Sequence, residues 1–185
     1  KNSSHCVWCD QKQTSFNAVA ELIAAGHQQI AFITGSMDSP TGVERLSGYK
    51  EALTRHGIAV NDELIVKGKW TPACGAAGVD VLLSRNVTFS ALVASNDDMA
   101  IGAIKQLHDK GLAVPSQVSV IGFDDIAMAP YTIPALSSVK IPVTEMIQET
   151  IGRLIFMLDG GAFTPPKSFT GTLIRRDSVA SIAAQ

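Results

Sequence analysis

Two clusters of polar residues stand where apolar runs end. Ser95-Asn96-Asp97-Asp98 follows Phe89–Ala94, and Asp124-Asp125 follows Val118–Phe123. An amide donates and accepts at once, and a carboxylate accepts from two donors. Asn96 and Asp124 on one rim therefore suit the neighbouring hydroxyls of a sugar ring. Arg45 adds five donors in a planar fork, suited to vicinal hydroxyls or a carboxylate. Trp70 lies between a strand and a helix cap, where an indole can stack on the apolar face of a sugar. Each residue also has a structural reading. Asn96 and the aspartates cap helices and make turns; Asp97 or Asp98 reads first as a cap. Arg45 can pair with Glu44 or Asp38, and Trp70 can pack at the edge of a core.

The elements that must carry these residues alternate. Phe89–Ala94, a helical pattern from Asp98 to about Lys110 and Val118–Phe123 form a strand–helix–strand unit, with Gly111 and Pro115 ending the helix. That length suits a right-handed parallel crossover. Ligands bind past the carboxyl ends of such strands, so the two clusters share a rim. Upstream, residues 1–10 read as a strand, and Thr14 or Ser15 as the cap of a helix with Phe16, Val19, Leu22 and Ile23 inward. Gln29–Thr34 is a buried strand, and Thr41-x-x-Glu44 is a capping box for a helix carrying Arg45 near its start. A short strand, Leu64–Val66, leads to a helix capped by Thr71 with Pro72 at its first position. Downstream, Met146–Leu158 is a strongly apolar helix, and Phe169–Ile174 a last strand. Repeated strand–helix alternation predicts a doubly wound parallel α/β sheet.

Composition narrows the function classes. The chain has 185 residues, 46% hydrophobic and 17% charged, with a net charge of −2. No basic run is present, so unaided binding to nucleic acid or an anionic membrane is not expected. No apolar run is long enough to span a bilayer. The start, KNSSHCVW, has neither an initiator Met nor the apolar core of a signal peptide, so a fragment without a leader is expected. Three cysteines, Cys6, Cys9 and Cys74, are an odd number, which favours a reducing compartment. Cys6-x-x-Cys9 invites a zinc or redox reading. Zinc needs a second pair, and the chain offers only Cys74 with the scattered His5, His27, His56 and His108. No metal or cofactor is expected. Phosphate loops, dinucleotide fingerprints and nucleophile elbows are absent. An enzyme using Asp97, Asp98, Asp124 or Asp125 with Mg²⁺ remains an alternative, with no reaction named by the residues.

ELIAAGHQQIAFITG, ERLSGYKEAL, ALVASNDDMAIGAI, VSVIGFDDIAMAPYTIPALSSVKIP and GTLIRRDS occur in order along nearly the whole chain. Together they resemble the lactose/galactose repressor (LacI/GalR) family of bacterial transcription regulators, with the galactose repressor and isorepressor branch the most similar. The resemblance implies a two-lobed, periplasmic-binding-protein-like effector domain behind a helix-turn-helix headpiece that is not in this sequence. Residues 1–25 and 143–165 would belong to the first lobe, and 26–139 and 168–185 to the second. Arg45, Asn96 and Asp124 match inducer-binding positions, and Trp70 matches a pocket aromatic. Gln13 falls where some members use Asp. Ile141 and Val143 fall where the lactose repressor has Gln and Phe, implying another sugar, D-galactose by the branch. Met99, Ile101, Ile104, Ala129 and Tyr131 match the family's dimer interface. The resemblance implies a cytoplasmic, non-enzymatic homodimer whose operator DNA is reached only through the headpiece. No heptad tail follows Asp177, so no coiled-coil tetramer is expected. The helices Phe16–Ile23 and Met146–Leu158 would be left without first-lobe partners. A secreted sugar-binding protein of the same lobes is the alternative.

Overall fold

Strands read as unbroken apolar runs must be covered on both faces, and in this chain they are. The computed structural model describes residues 6–162, 165 and 167–182; His5 and the first half of the expected opening strand lie outside them. Six strands, β1 (Ile30–Ile33), β2 (Ile65–Val66), β3 (Ala91–Ala94), β4 (Ser119–Phe123), β5 (Ser137–Lys140) and β6 (Thr172–Ile174), form one sheet in the order β2-β1-β3-β4-β5-β6. The first five are parallel, with Ile33 beside Val66 and Ala94, Val93 beside Ile121, and Phe123 beside Val139. β6 runs antiparallel to β5. Only the last strand thus departs from the parallel expectation. The helix between β5 and β6, Val143–Leu158, has no buried residue and does not pack back over the sheet as a crossover, so nothing forces β6 parallel.

Helices α1 (Gln11–Ala24) and α2 (Pro40–Arg55) cover one face, and α3 (Pro72–Ser84) and α4 (Asp97–Asp109) the other. The pleat divides each strand between them. Ile30, Phe32, Val93, Ile121 and Phe123 pack under α1 and α2, whereas Ala31, Ile33, Leu92, Ala94 and Val120 pack under α3 and α4. Each large apolar side chain buried this way contributes on the order of 1.5–3 kcal/mol. Tyr49 adds a hydroxyl that donates to the Ile30 carbonyl at 2.8 Å, and burial pushes its phenol well up, keeping it neutral.

Several local expectations change. α1 is capped by Asp10, whose carboxylate accepts the Gln13 N–H at 2.8 Å. Thr14 and Ser15 are instead buried: Ser15 Oγ donates to the Arg45 carbonyl at 2.7 Å, and Thr14 Oγ1 accepts the Gly171 N–H at 2.9 Å. α2 begins at Pro40 behind Ser39, so Thr41 and Glu44 lie inside the helix and make no capping box. Proline at the first helical position, with φ preset and no N–H to satisfy, moves the start upstream. Cys9 makes a single bridge to Phe169 in place of the expected opening strand.

The helices set apart by the family pattern behave differently. Ala18, Val19 and Leu22 of α1 are buried in the same cluster as Tyr49, Ala52 and Leu53 of α2. α1 therefore does not depend on a first-lobe partner: its apolar face packs on α2 and the sheet of this same chain. No residue of α5 (Val143–Leu158) is buried, and Ile147, Ile151, Leu154, Ile155 and Phe156 are each more than half exposed.

Candidate functional site

The chain leaves β1 toward β2 on one side and returns to β3 on the other. A crevice opens at such a reversal, outside the carboxyl ends of the strands. Thr34 and Gly35 follow β1 here, Ser95 and Asn96 follow β3, and Asp124 follows β4.

Arg45 is the centre of the rim. The second turn of α2 points it inward, where it is 3% exposed. Nε donates to Gln11 Oε1 at 2.8 Å, Nη1 to the Ser95 carbonyl, and Nη2 to Asp124 Oδ1 at 3.1 Å. The guanidinium also lies 4.4 Å from the centroid of the Phe123 ring. Burial lowers its pKa, and the facing Asp124 charge opposes that fall; an arginine so placed remains a cation. The pairing with Glu44 or Asp38 is replaced by these contacts. The Asp124 side chain, by contrast, is 44% exposed. The pair therefore presents one fixed acceptor to solvent above a buried donor fork.

Asn96 serves two elements. Its Oδ1 accepts the Met99 N–H at 3.0 Å, capping α4, and its Nδ2 donates to the Trp70 carbonyl at 3.1 Å. Asn96, not Asp97 or Asp98, is therefore the cap. Trp70 is half-buried and has φ of 67°. A bulky residue in that region is rare and must be held by its surroundings. The Asn96 amide holds its backbone, and its indole lies against Gly35, where a Cβ would sit 2.0 Å from a ring carbon. Asp124 and Asp125 also have positive φ, 100° and 51°. Left-handed backbone at three rim residues is the pattern of a positioned site. Ser95 Oγ is buried and, among the described residues, has no hydrogen-bond partner.

The structure joins Arg45, Asn96, Trp70 and Asp124 into one bonded group through Ser95. It does not join Gln13, which is exposed and donates its amide to Asn17 Oδ1 at 2.8 Å within α1. Gln11, two residues earlier, makes the contact with Arg45. Sequence reasoning missed Gln11, Phe123 and Gly35, and named Ser95 in the rim cluster without giving it a role. Ser95 and Phe123 had a signal, as each directly precedes a singled-out residue.

The expected dimer face is thinner than the family pattern. Met99 and Ala129 have no exposed surface and pack into the core between α4 and the sheet, so they present nothing to a partner. Ile104 is nearly buried and Ile101 half-buried; together with Thr132 and Ile133 they line a shallow groove. Met128, Tyr131 and Ile133 stand out beside it, Ile133 94% exposed.

Among the described residues, no group of three or more His, Cys, Asp or Glu is placed to hold a metal, and no helix is long and apolar enough to cross a membrane.

Comparison with known proteins agrees with this fold. A family model described as a periplasmic binding protein-like domain matches residues 19–179. The HTH-type transcriptional regulator AscG of Escherichia coli is 78% identical over 97% of this chain and 53% of its own length. GalR of the same organism is 32% identical over 96% of this chain and 52% of its own. The chain therefore spans about half the length of the curated relatives it matches. The crystal structure of the E. coli transcriptional repressor ascG superposes with a TM-score of 0.93 at 78% identity, covering 97% of this chain and 66% of that one. A CelR–cellobiose complex gives 0.84 at 32% identity, covering 95% and 54%. The much higher identity to AscG removes the ground for singling out galactose. The chain belongs to the LacI/GalR family of transcriptional regulators, within its periplasmic-binding-protein-like effector domain.

Proposed function

We propose that this chain is the sugar-sensing part of a transcriptional repressor, and that its effector is a neutral pyranose sugar bound on the rim of Arg45, Trp70, Asn96 and Asp124. The observation that carries the reading is the Arg45–Asp124 pair, a buried fork holding a half-exposed carboxylate in one orientation. Sugar hydroxyls donate to that carboxylate, and the Trp70 indole offers an apolar face beside it. The relative solved with cellobiose supports a sugar of that class. α5 presents its apolar face to first-lobe segments outside this sequence, which complete the cleft. The groove beside Ile101, Tyr131 and Ile133 receives the second copy. Operator DNA is contacted by a headpiece elsewhere in the protein, and the repressor acts in the cytoplasm. Binding changes the orientation of the lobes and weakens operator affinity, a coupling on the order of 1–3 kcal/mol. The role is binding rather than catalysis.

Calorimetric titration of the full-length protein with cellobiose, D-glucose and D-galactose, and with D-ribose as control, tests the reading. Saturable heat from a pyranose, lost in Asp124→Asn, is the expected result. Heat from none of the pyranoses, or equal affinity in Asp124→Asn, overturns it.

A further inference from the structure

Asp97 is the first residue of α4 and has no exposed surface. Its Oδ1 accepts the Ser138 hydroxyl at 2.5 Å, and its Oδ2 accepts the Ile126 N–H at 2.9 Å. Ser138 Oγ in turn accepts the Asp125 N–H at 3.0 Å. One carboxylate thus ties the start of α4 to β5 and to the turn after β4. The tie falls on the two amides that follow Asp124, where the backbone is held at positive φ. The fold makes room for it: a Cβ on Gly122 would lie 2.2 Å from Asp97 Oδ1. The far side of the turn is fixed by Arg176, which pairs with Asp125 at 2.6 Å and donates to the Leu136 carbonyl at 2.7 Å. The Asp124 N–H is held separately by the Val139 carbonyl at 2.8 Å, so it is the next two amides, of Asp125 and Ile126, that depend on the Asp97–Ser138 tie to keep the left-handed turn.

We infer that Asp97 is a positioning residue: its ionised carboxylate holds the turn Asp124–Ile126 in the conformation that presents Asp124 to the effector. The inference rests on the sugar-binding reading only for its last clause. A protonated Asp97 has one acceptor fewer and carries an O–H that competes for Ser138, so the turn loosens in acid. The charged groups around it are Asp124 and Asp125 from the turn, Arg45 from α2, Arg176 from the terminal segment and Asp98 on its own helix. Burial is the main cause that raises Asp97 to about 6, and the two neighbouring aspartates add to it. The turn is therefore expected to loosen over a mildly acidic range.

The test measures amide hydrogen exchange of this chain at pH 7.5 and 5.0, expressed as protection relative to intrinsic rates. Wild type, Asp97→Asn and the exposed neighbour Asp98→Asn are compared. Protection at Asp125 and Ile126 should fall about ten-fold in wild type between the two pH values, in keeping with one lost hydrogen bond. Asp97→Asn should be low at both, and Asp98→Asn should follow wild type. Full protection in Asp97→Asn at pH 7.5, or a persisting pH-dependent fall there, overturns the inference. Should Asp97→Asn fail to fold, Ser138→Ala decides: protection should be lost at Asp125 and kept at Ile126, and any other pattern refutes the tie. Titration with cellobiose, D-glucose and D-galactose is run in parallel on the full-length protein. Affinity about ten-fold weaker at pH 5.0, with no such change in Asp97→Asn, supports the link to the effector; equal pH dependence in both overturns it. A wild type that binds none of these sugars sinks the functional reading while the exchange data still judge the tie.

Discussion

Removing the Asn96 amide separates two jobs that the structure gives to one side chain. Asn96→Ala deletes the cap on α4, at about 1 kcal/mol, and the bond to the Trp70 carbonyl, at about 1 kcal/mol more. Asn96 is only 9% exposed, so water does not replace these partners fully. The combined loss of roughly 2 kcal/mol lowers the Tm of a chain of this size by about 4–8 °C. Asn96→Ser keeps an oxygen for the Met99 N–H but is too short to reach Trp70, so it should lose about half as much. Urea unfolding followed by circular dichroism measures both variants. Fluorescence in a Trp8→Phe background reports whether the indole at 70 leaves Gly35. Asn96→Ala as stable as wild type, or Asn96→Ser as damaged as Asn96→Ala, refutes the double role. Weakened sugar binding in Asn96→Ala alone is therefore no proof of direct contact, whereas Asn96→Ser isolates the polar reach of the amide.

Gly35→Ala places a methyl into the indole of Trp70 and should cost about 1–3 kcal/mol while shifting Trp70 emission to the red; unchanged emission and stability would remove the stacking contact from the account. Asp97 carries a stability signature opposite to its proposed effect on the turn. Because its folded pKa is raised, its stability contribution is present below the unfolded value near 3.8 and is lost as pH rises through about 6. Urea titrations from pH 4 to 8 should show wild type losing up to about 3 kcal/mol relative to Asp97→Asn; a constant difference refutes the shift. His27 works the other way. Burial lowers its pKa. Its ring bridges Ser90 Oγ at 2.9 Å and the Ala180 carbonyl at 3.0 Å. The stability it contributes should be present above about 6.5 and fall as pH drops below it, and His27→Phe should abolish that fall. This chain alone should self-associate through α5, and Ile151→Glu with Leu154→Glu should yield monomers in light scattering without loss of stability, since both side chains are exposed; a double variant that associates like wild type points to another surface.

Much of this was legible because it depends on local pattern. Apolar runs ending in polar residues locate the rim; strand-end logic offers Asn96 and Asp124 as candidates beside their capping and turn readings, and the start of the helix after β1 adds Arg45. What escaped depends on contacts across the chain. Gln11 is invisible as a partner because Arg45 lies 34 positions away. Which of Asn96, Asp97 and Asp98 caps α4 depends on where β3 stops and on what Ser138 offers from β5. Thr41-x-x-Glu44 fits the capping pattern, yet Pro40 overrides it. The resemblance implied a first-lobe place for residues 1–25, but apolar complementarity to α2 decides where the helix among them packs.

Both margins of the sheet are brief, two residues in β2 and three in β6. Few free backbone N–H and C=O groups face outward in register, so another copy finds little template for strand addition. Association of this chain is therefore directed to side-chain surfaces, on α5 and beside Ile133. Contacts of that kind close and saturate, whereas exposed ladders propagate. Even a preparation with much apolar helix surface uncovered should form small discrete particles rather than growing fibrils.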